Sequence, residues 1–175
     1  MREALAMHIV VDGYNLIGSE KGLGGNLEGK RKQLIQQLQQ YHALKGHPVT
    51  VVFDGWRSGW MHEVEEQAQG IRVIYSRQGE KADSVIQRLA REMGSGCVVV
   101  TSDREVQRAI EASSAVAIYA GEFGARLKSI DREIFLGRDE KSEEESRGLR
   151  DQGKKGNPRR LSKRERKRRG RLKKL

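Results

Sequence analysis

Four short stretches of this sequence end on residues able to do chemistry. Asp12 and Asn15 follow the run HIVV, Asp54 follows VTVVF, Asp83 lies just inside a segment that opens at Gly79, and Ser102-Asp103 follows CVVVT. The donors are all oxygens, and carboxylates dominate. Two like charges 4 Å apart repel by about 4 kcal/mol at an effective dielectric near 20, so carboxylates that converge without Lys or Arg among them need a cation. An oxygen-only donor set without His or Cys predicts Mg²⁺ or Mn²⁺ rather than zinc. Such an ion suits phosphoryl chemistry, because it activates water and neutralises charge on a phosphate.

Each acid also has a purely structural reading. Asp-Gly after a strand is common turn chemistry, which covers Asp12 and Asp54. Ser102 with Glu105 three residues on matches a capping box, and Glu80 or Asp83 near a helix start complements the helix dipole. What weakens these readings is coincidence, since several strand ends or helix starts each bring a carboxylate to one edge.

The elements that would position these residues follow from periodicity. Continuous apolar runs at His8 to Val11, Val49 to Phe53, Ile71 to Ser76, Cys97 to Thr101 and Ala115 to Ala120 predict five strands buried on both faces. Helical spacing of apolar residues predicts helices over Leu27 to Leu44, from Gly79 to Met93, from Arg104 to Ala112 and around Gly124 to Ile130. A polar segment, Gly59 to Gln69, is also expected to be helical. The glycine-rich stretch from Gly18 to Asn26 predicts a loop. Strands alternating with helices over short connections require parallel pairing and right-handed crossovers, so the expected fold is a three-layer α/β/α sandwich with a mostly parallel sheet of about five strands. Ligands bind such sheets beyond the carboxyl ends of the strands, where these acids lie.

Charge divides the chain. The net charge of +10 is concentrated from Lys154 to Leu175, which holds 13 basic residues against the single acid Glu165, while residues 1–153 sum to −2. Domain boundaries are therefore expected at 1–137 for the body, 138–153 for an acidic polar linker and 154–175 for a basic, disordered tail. A tail of this kind is the electrostatic footprint of a polyanion, most often nucleic acid. A body of about 150 residues buries roughly 70% of its unfolded surface and folds without metal or disulfide. Cys97, the one cysteine, begins an apolar run and reads as a small buried hydrophobe in a reducing cytoplasm. No apolar run approaches a membrane span, and Met7, directly before the first strand, is an alternative start to Met1. Nothing in the pattern fixes an oligomeric state.

Four motifs taken together resemble a known family. Asp12-Gly13-Tyr14-Asn15, Val52-Phe53-Asp54-Gly55, Glu80-Lys81-Ala82-Asp83, and Thr101-Ser102-Asp103 with Gln107 four positions later are similar to the YacP-like NYN domains of the PIN-like nuclease superfamily. The resemblance covers about Met7 to Phe135. It implies a metal-dependent endoribonuclease and, for the YacP-like group, cleavage of mRNA in association with ribosomes. Carried over, Asp12, Asp83 and Asp103 look like metal-binding acids, Asn15 and Ser102 like polar supports, and Asp54 like an additional or supporting acid. The basic tail is not part of the motif set.

Residues suited to hold single-stranded RNA lie nearby. Tyr14 and Trp56 could stack on unpaired bases, as could Trp60, and Arg57, Lys81 and Arg104 could meet phosphates, with Lys163, Arg164, Lys167, Arg168 and Arg169 in the tail. Packing of a loop onto the core is the competing role for the tryptophans. His8, inside a strand, reads as structural. Two other functions compete with the nuclease: a non-catalytic RNA- or ribosome-binding module with a vestigial acidic site, and a small-molecule phosphohydrolase. The first gains nothing from acids in a polyanion groove. The second leaves the tail without purpose, and the first strand lacks a second Asp in a DxD pattern.

Overall fold

The computed structural model describes residues 6–55, 59–139 and 163–175, with 137–139 and 163 described by their backbone alone. In chain order the elements are β1 (His8–Asp12), α1 (Gly13–Lys21), α2 (Leu27–Lys45), β2 (Val49–Phe53), β3 (Val64–Ala68), β4 (Ile71–Tyr75), α3 (Ala82–Met93), β5 (Cys97–Val100), α4 (Arg104–Glu111), β6 (Val116–Ile118), α5 (Ala120–Asp139) and α6 (Lys163–Leu172). The sheet order is β3-β4-β2-β1-β5-β6, and every pairing is parallel except the antiparallel hairpin β3–β4.

Alternation along the strands builds two cores. Ile9 and Val11 of β1, Val51 and Phe53 of β2, and Val98 and Val100 of β5 face α1, α2 and α5 through Leu16, Leu34, Leu38, Tyr41, Phe123 and Leu127. Val10, Val52, Ile74 and Val99 face α3 and α4 through Val85, Ile86, Leu89, Val106 and Ile110. This is the expected three-layer α/β/α sandwich. From β1 the chain crosses to β2 and β4 on one side, and from β5 it crosses to β6 on the other. The topological switch point therefore lies between β1 and β5, where a crevice opens at the carboxyl ends of the strands.

Three local expectations are corrected. The segment expected as a polar helix contains β3, so the sheet has six strands rather than five. Its sequence VEEQA is polar because it is an edge strand exposed along its centre. Residues Gly13 to Lys21, expected as a turn and the start of a loop, form α1, for which Asp12 supplies the N-cap. An ideal Cβ on Gly13 would stand 2.3 Å from Cε1 of Phe53, so only glycine lets this helix start so close to the sheet.

The third correction concerns the tail, expected to be disordered or only transiently helical when alone. Its described part holds α6, which docks beside β6. The physical reason is that arginines and two leucines do together what an apolar stripe would do alone. Arg164 pairs with Glu111 and Arg168 with Glu122, each at 2.7 Å. Lys167 donates to the Ser114 carbonyl at 3.2 Å and Arg171 to that of Ser95 at 2.8 Å. Leu172 and the buried Leu175 complete the core on the α1/α2/α5 face. The rest of the expected linker and tail, from residue 140 to 162, lies outside the described residues.

Candidate functional site

The strand ends and helix starts meet at the β1–β5 crevice. Asp12 ends β1 and is 8% exposed; its Oδ1 accepts from the Asn15 backbone N–H at 3.3 Å and its Oδ2 from the Thr101 hydroxyl at 3.5 Å. Asn15, one turn into α1, reaches across the crevice, where its Oδ1 accepts from the Ser102 N–H at 2.8 Å. The asparagine thus ties the β1 side to the β5 side at the switch point.

Asp103 is the N-cap of α4. Its Oδ1 accepts from the N–H groups of Glu105 at 2.7 Å and Val106 at 3.3 Å, so the cap is Asp103 rather than the Ser102 of the expected capping box. The Ser102 hydroxyl instead accepts from the Ala120 N–H at 3.2 Å, which fixes the start of α5. Buried Gln107 donates to the Thr101 carbonyl at 2.8 Å and holds the β5 end in place.

Asp54 leaves β2 and caps a helix to which it does not belong. Its Oδ1 accepts from the Ala82 N–H at 2.7 Å, a service that Lys81, the N-cap residue of α3, does not perform. That bond anchors the first turn of α3 and with it Asp83, whose side chain makes no hydrogen bond among the described residues. The loop beneath is equally tight: the Gly55 N–H donates to the Ser76 hydroxyl at 3.1 Å, and an ideal Cβ on Gly55 would fall 1.6 Å from the Ser76 carbonyl oxygen.

The electrostatics follow from this crowding. Burial pushes the Asp12 carboxyl up to about 7, helped by the charges of Asp83, Asp54 and Asp103 and opposed by the Asn15 N–H. Burial also raises Asp83, with Asp103 and Asp54 adding to it and Lys81 working against it. Among the described residues no three His, Cys, Asp or Glu side chains stand close enough together to hold a metal ion as they are placed. The fit to Mg²⁺ or Mn²⁺ is therefore one of chemistry: all-oxygen donors, one of them buried and reluctant to ionise unless a cation joins it.

The remaining predicted residues divide by place. Tyr14, half-buried in the first turn of α1, packs edge-on to Phe53 at 5.1 Å. Lys81 and Arg104 are exposed beside the acids. Trp60 is 47% exposed in the loop after β2, with its carbonyl accepting from Gln78. Trp56, Arg57 and the side chain of Lys163 lie outside the described residues. Arg164, Lys167 and Arg168 are engaged with the body, whereas Arg169 is exposed. His8 bonds Thr50 Oγ1 at 2.7 Å, and burial, then Arg72, lowers its pKa. Burial pushes the Cys97 thiol up to about 12, which leaves it inert. The sequence reading missed Arg31 and Tyr75, which reach the same edge from α2 and β4. Tyr75 could have been found as the aromatic that ends its apolar run, as Phe53 ends VTVVF, but nothing in the sequence marks Arg31.

Among the described residues no helix is long and apolar enough to cross a membrane. Comparison with known proteins agrees with the geometry. The YacP-like NYN domain profile matches residues 9–169. The uncharacterized protein YacP of Bacillus subtilis (strain 168) is 32% identical over 133 residues, which cover 72% of this chain and 78% of that one. The crystal structure of Rae1 (YacP) from the same organism, as a single-substitution variant, superposes with a TM-score of 0.64 at 31% identity, covering 79% of this chain and 86% of the other. A second crystal structure of that protein gives a TM-score of 0.62 at 29% identity over 77% and 80%. The chain belongs to the YacP-like NYN domain family of the PIN-like nuclease superfamily.

Proposed function

We propose that this protein is an endoribonuclease that hydrolyses phosphodiester bonds of single-stranded RNA and depends on Mg²⁺ or Mn²⁺. One observation carries the reading: Asp12, Asp83 and Asp103 share a crevice edge with Asp54, and burial, with the repulsion of these acids added to it, holds Asp12 protonated up to about 7. Binding a polyanion gains nothing from such a cluster. Asp12, Asp83 and Asp103 would hold the ion, which when bound supplies charge neutralisation at the phosphate and a more acidic water. Asn15 and Ser102 keep the two sides of the crevice at fixed spacing, and Asp54 positions Asp83 through the first turn of α3. Exposed Lys81 and Arg104 flank the acids and would draw the phosphate backbone toward them.

The setting we propose is the cytoplasm, with mRNA on the ribosome among the substrates. It is supported by the family resemblance and by the exposed basic face of α6. A non-catalytic RNA-binding module is favoured by a different observation, the absence of three ligating side chains within common reach as placed among the described residues. The two readings part in one assay. Purified protein is incubated with single-stranded RNA in Mg²⁺ or Mn²⁺, and with EDTA as control; the nuclease reading expects cleavage that EDTA stops and that Asp12→Asn abolishes. Cleavage undiminished in EDTA or by that variant refutes the mechanism.

A further inference from the structure

Strand β4 brings an unassigned group of side chains to the same edge as the acids. Phe53 and Tyr75 end β2 and β4, and Tyr14 lies in the first turn of α1, edge-on to Phe53 at 5.1 Å, with Tyr75 stacked on Phe53 at 5.8 Å. They form an aromatic ribbon that starts two residues from Asp12 and passes the residue before Asp54. Helix α2 follows α1 and returns to β2, so its first turns lie at this carboxyl edge. From there Arg31 lies over the ribbon, its guanidinium carbon 5.5 Å from the centre of the Tyr75 ring and its Nη1 donating to the Tyr14 hydroxyl at 3.3 Å.

Among the described residues, Arg31 is seated on an aromatic ring with no carboxylate to neutralise it, whereas Arg168, seated on Tyr119, pairs with Glu122. Eight ion pairs occur among the described residues, and Arg72, Arg77, Arg88, Arg164 and Arg168 each have a carboxylate within 4 Å. Arg31 has none there. It is only half-buried, so it keeps an open side. A guanidinium laid on one aromatic ring and steadied by a phenol loses little further freedom on binding, and its planar fork matches the oxygens of a phosphate. Strands are spaced by about 4.8 Å, so the ribbon at β4 is roughly 10 Å from Asp12 along the edge. A flexible strand lying across that edge would place one phosphate at the acids and a neighbouring one at Arg31.

We infer that Arg31, held by Tyr14 and Tyr75, is the binding site for a backbone phosphate of single-stranded RNA flanking the scissile bond. The site deepens the endoribonuclease reading and rests on it for the identity of the strand. It supplies affinity and register but takes no part in bond cleavage. Arg31 is therefore a positioning residue, and its removal acts on KM while leaving kcat in place.

The test uses the full chain and a fluorescent single-stranded oligoribonucleotide, with binding followed by anisotropy in EDTA and cleavage followed separately in Mg²⁺ or Mn²⁺. Arg31→Met keeps an apolar stem over Tyr75 and removes the fork. It is expected to weaken binding about five- to tenfold, to lessen the salt slope of log K by about 0.7 and to raise KM at unchanged kcat. Arg31→Lys, which keeps the charge without the planar fork, is expected to recover part of the affinity and the full salt slope. Equal affinity and salt slope for Arg31→Met and the unsubstituted chain would overturn the site, since packing on Tyr75 alone leaves both untouched. The nuclease reading fails separately, by absence of metal-dependent cleavage, and the binding comparison is read without any cleavage taking place.

Discussion

At the carboxyl edge of the sheet, Asp12, Asp54, Asp83 and Asp103 come from distant parts of the chain, and only folding brings them together. In α6 the like charges are neighbours in sequence: Arg164, Arg166, Lys167, Arg168 and Arg169 crowd a single helix whatever the rest of the molecule does. The two regions tolerate their repulsion differently. In α6 most side chains reach solvent or a nearby carboxylate or carbonyl, so the charge is screened. At the edge, Asp12 is buried and its carboxyl rises to about 7 instead. On the function proposed above, a bound cation would relieve the repulsion at the edge, whereas α6 needs none.

The largest effect should come from removing charge at the edge. Asp12→Asn and Asp83→Asn are each expected to lower RNA cleavage by more than about 10²-fold while the protein remains folded. Asp103→Asn separates two roles at one position. Asn caps a helix about as well as Asp, so the α4 cap survives and stability shifts by only a few tenths of a kcal/mol. Cleavage should nevertheless collapse if the charge holds the ion. Normal turnover by Asp103→Asn, measured beside its thermal unfolding, would reduce Asp103 to a cap.

The next effect is on stability and has a definite sign. The folded Asp12 carboxyl titrates near 7 and an unfolded one near 4, so between those values the native state holds a proton that the unfolded chain has released. Stability of the metal-free protein from this group is therefore full below about pH 4, falls as pH rises toward 7, and levels off above it. The loss is on the order of a few kcal/mol. Denaturant unfolding in EDTA at pH 5 and pH 8 should show it, and Asp12→Asn should flatten it. Added Mg²⁺ or Mn²⁺ should restore stability at pH 8 in the unsubstituted protein alone, by mass action on the folded state. An unchanged pH profile in Asp12→Asn would mean that the crowding is relieved by some other group.

How far each region could be read in the sequence has the same origin as their difference. β1, β2, β4 and β5 were legible to within a residue because strands buried on both faces are continuous apolar runs. Asp12, Asp54 and Asp103 were legible because they follow those runs, and Asp83 because it opens a segment of helical spacing. β3 was not, since VEEQA shows solvent nearly all its side chains and so loses the apolar signal. α1 was hidden by Asp12-Gly13, which reads as a turn until Phe53 is seen to occupy the space beside Gly13. α6 was hidden because arginines, which read as solvated charge, serve as its anchors. The bond from Ala82 to Asp54 and the seat of Arg31 on Tyr75 join segments 28 and 44 residues apart, and no local pattern announces them.

Within α6 the inward and outward faces predict a smaller, separable effect on binding. Arg166 and Arg169 are exposed and make no ion pair among the described residues, so neutralising both to Gln leaves the docking contacts in place. If each meets one phosphate of single-stranded RNA, the salt slope of log K drops by about 1.4 in total. Affinity at low salt should fall roughly tenfold, with cleavage at saturating RNA unchanged. Salt-dependent anisotropy measures the first and single-turnover cleavage the second. A loss of the cleavage step itself would bring α6 into the chemistry and end the division of labour drawn above.

The smallest effect concerns what holds α6 down. Arg168 pairs with Glu122 at 2.7 Å and lies 4.7 Å from the centre of the Tyr119 ring, yet both partners of the ion pair remain partly open to solvent. A pair of this kind contributes about 0–1 kcal/mol, and the ring contact about 0.5–1 kcal/mol more. Arg164 with Glu111 is more exposed still, at 57% and 45%, and should contribute less. Leu175, 3% exposed, buries apolar surface that salt does not weaken. Double-mutant cycles on Arg168 and Glu122 should therefore return a coupling below about 1 kcal/mol that shrinks in high salt. Leu175→Ala should cost more than Arg168→Gln and be indifferent to salt. The reverse ranking would show that charge, not the terminal leucines, docks the helix, and that RNA phosphates could then compete it away from β6.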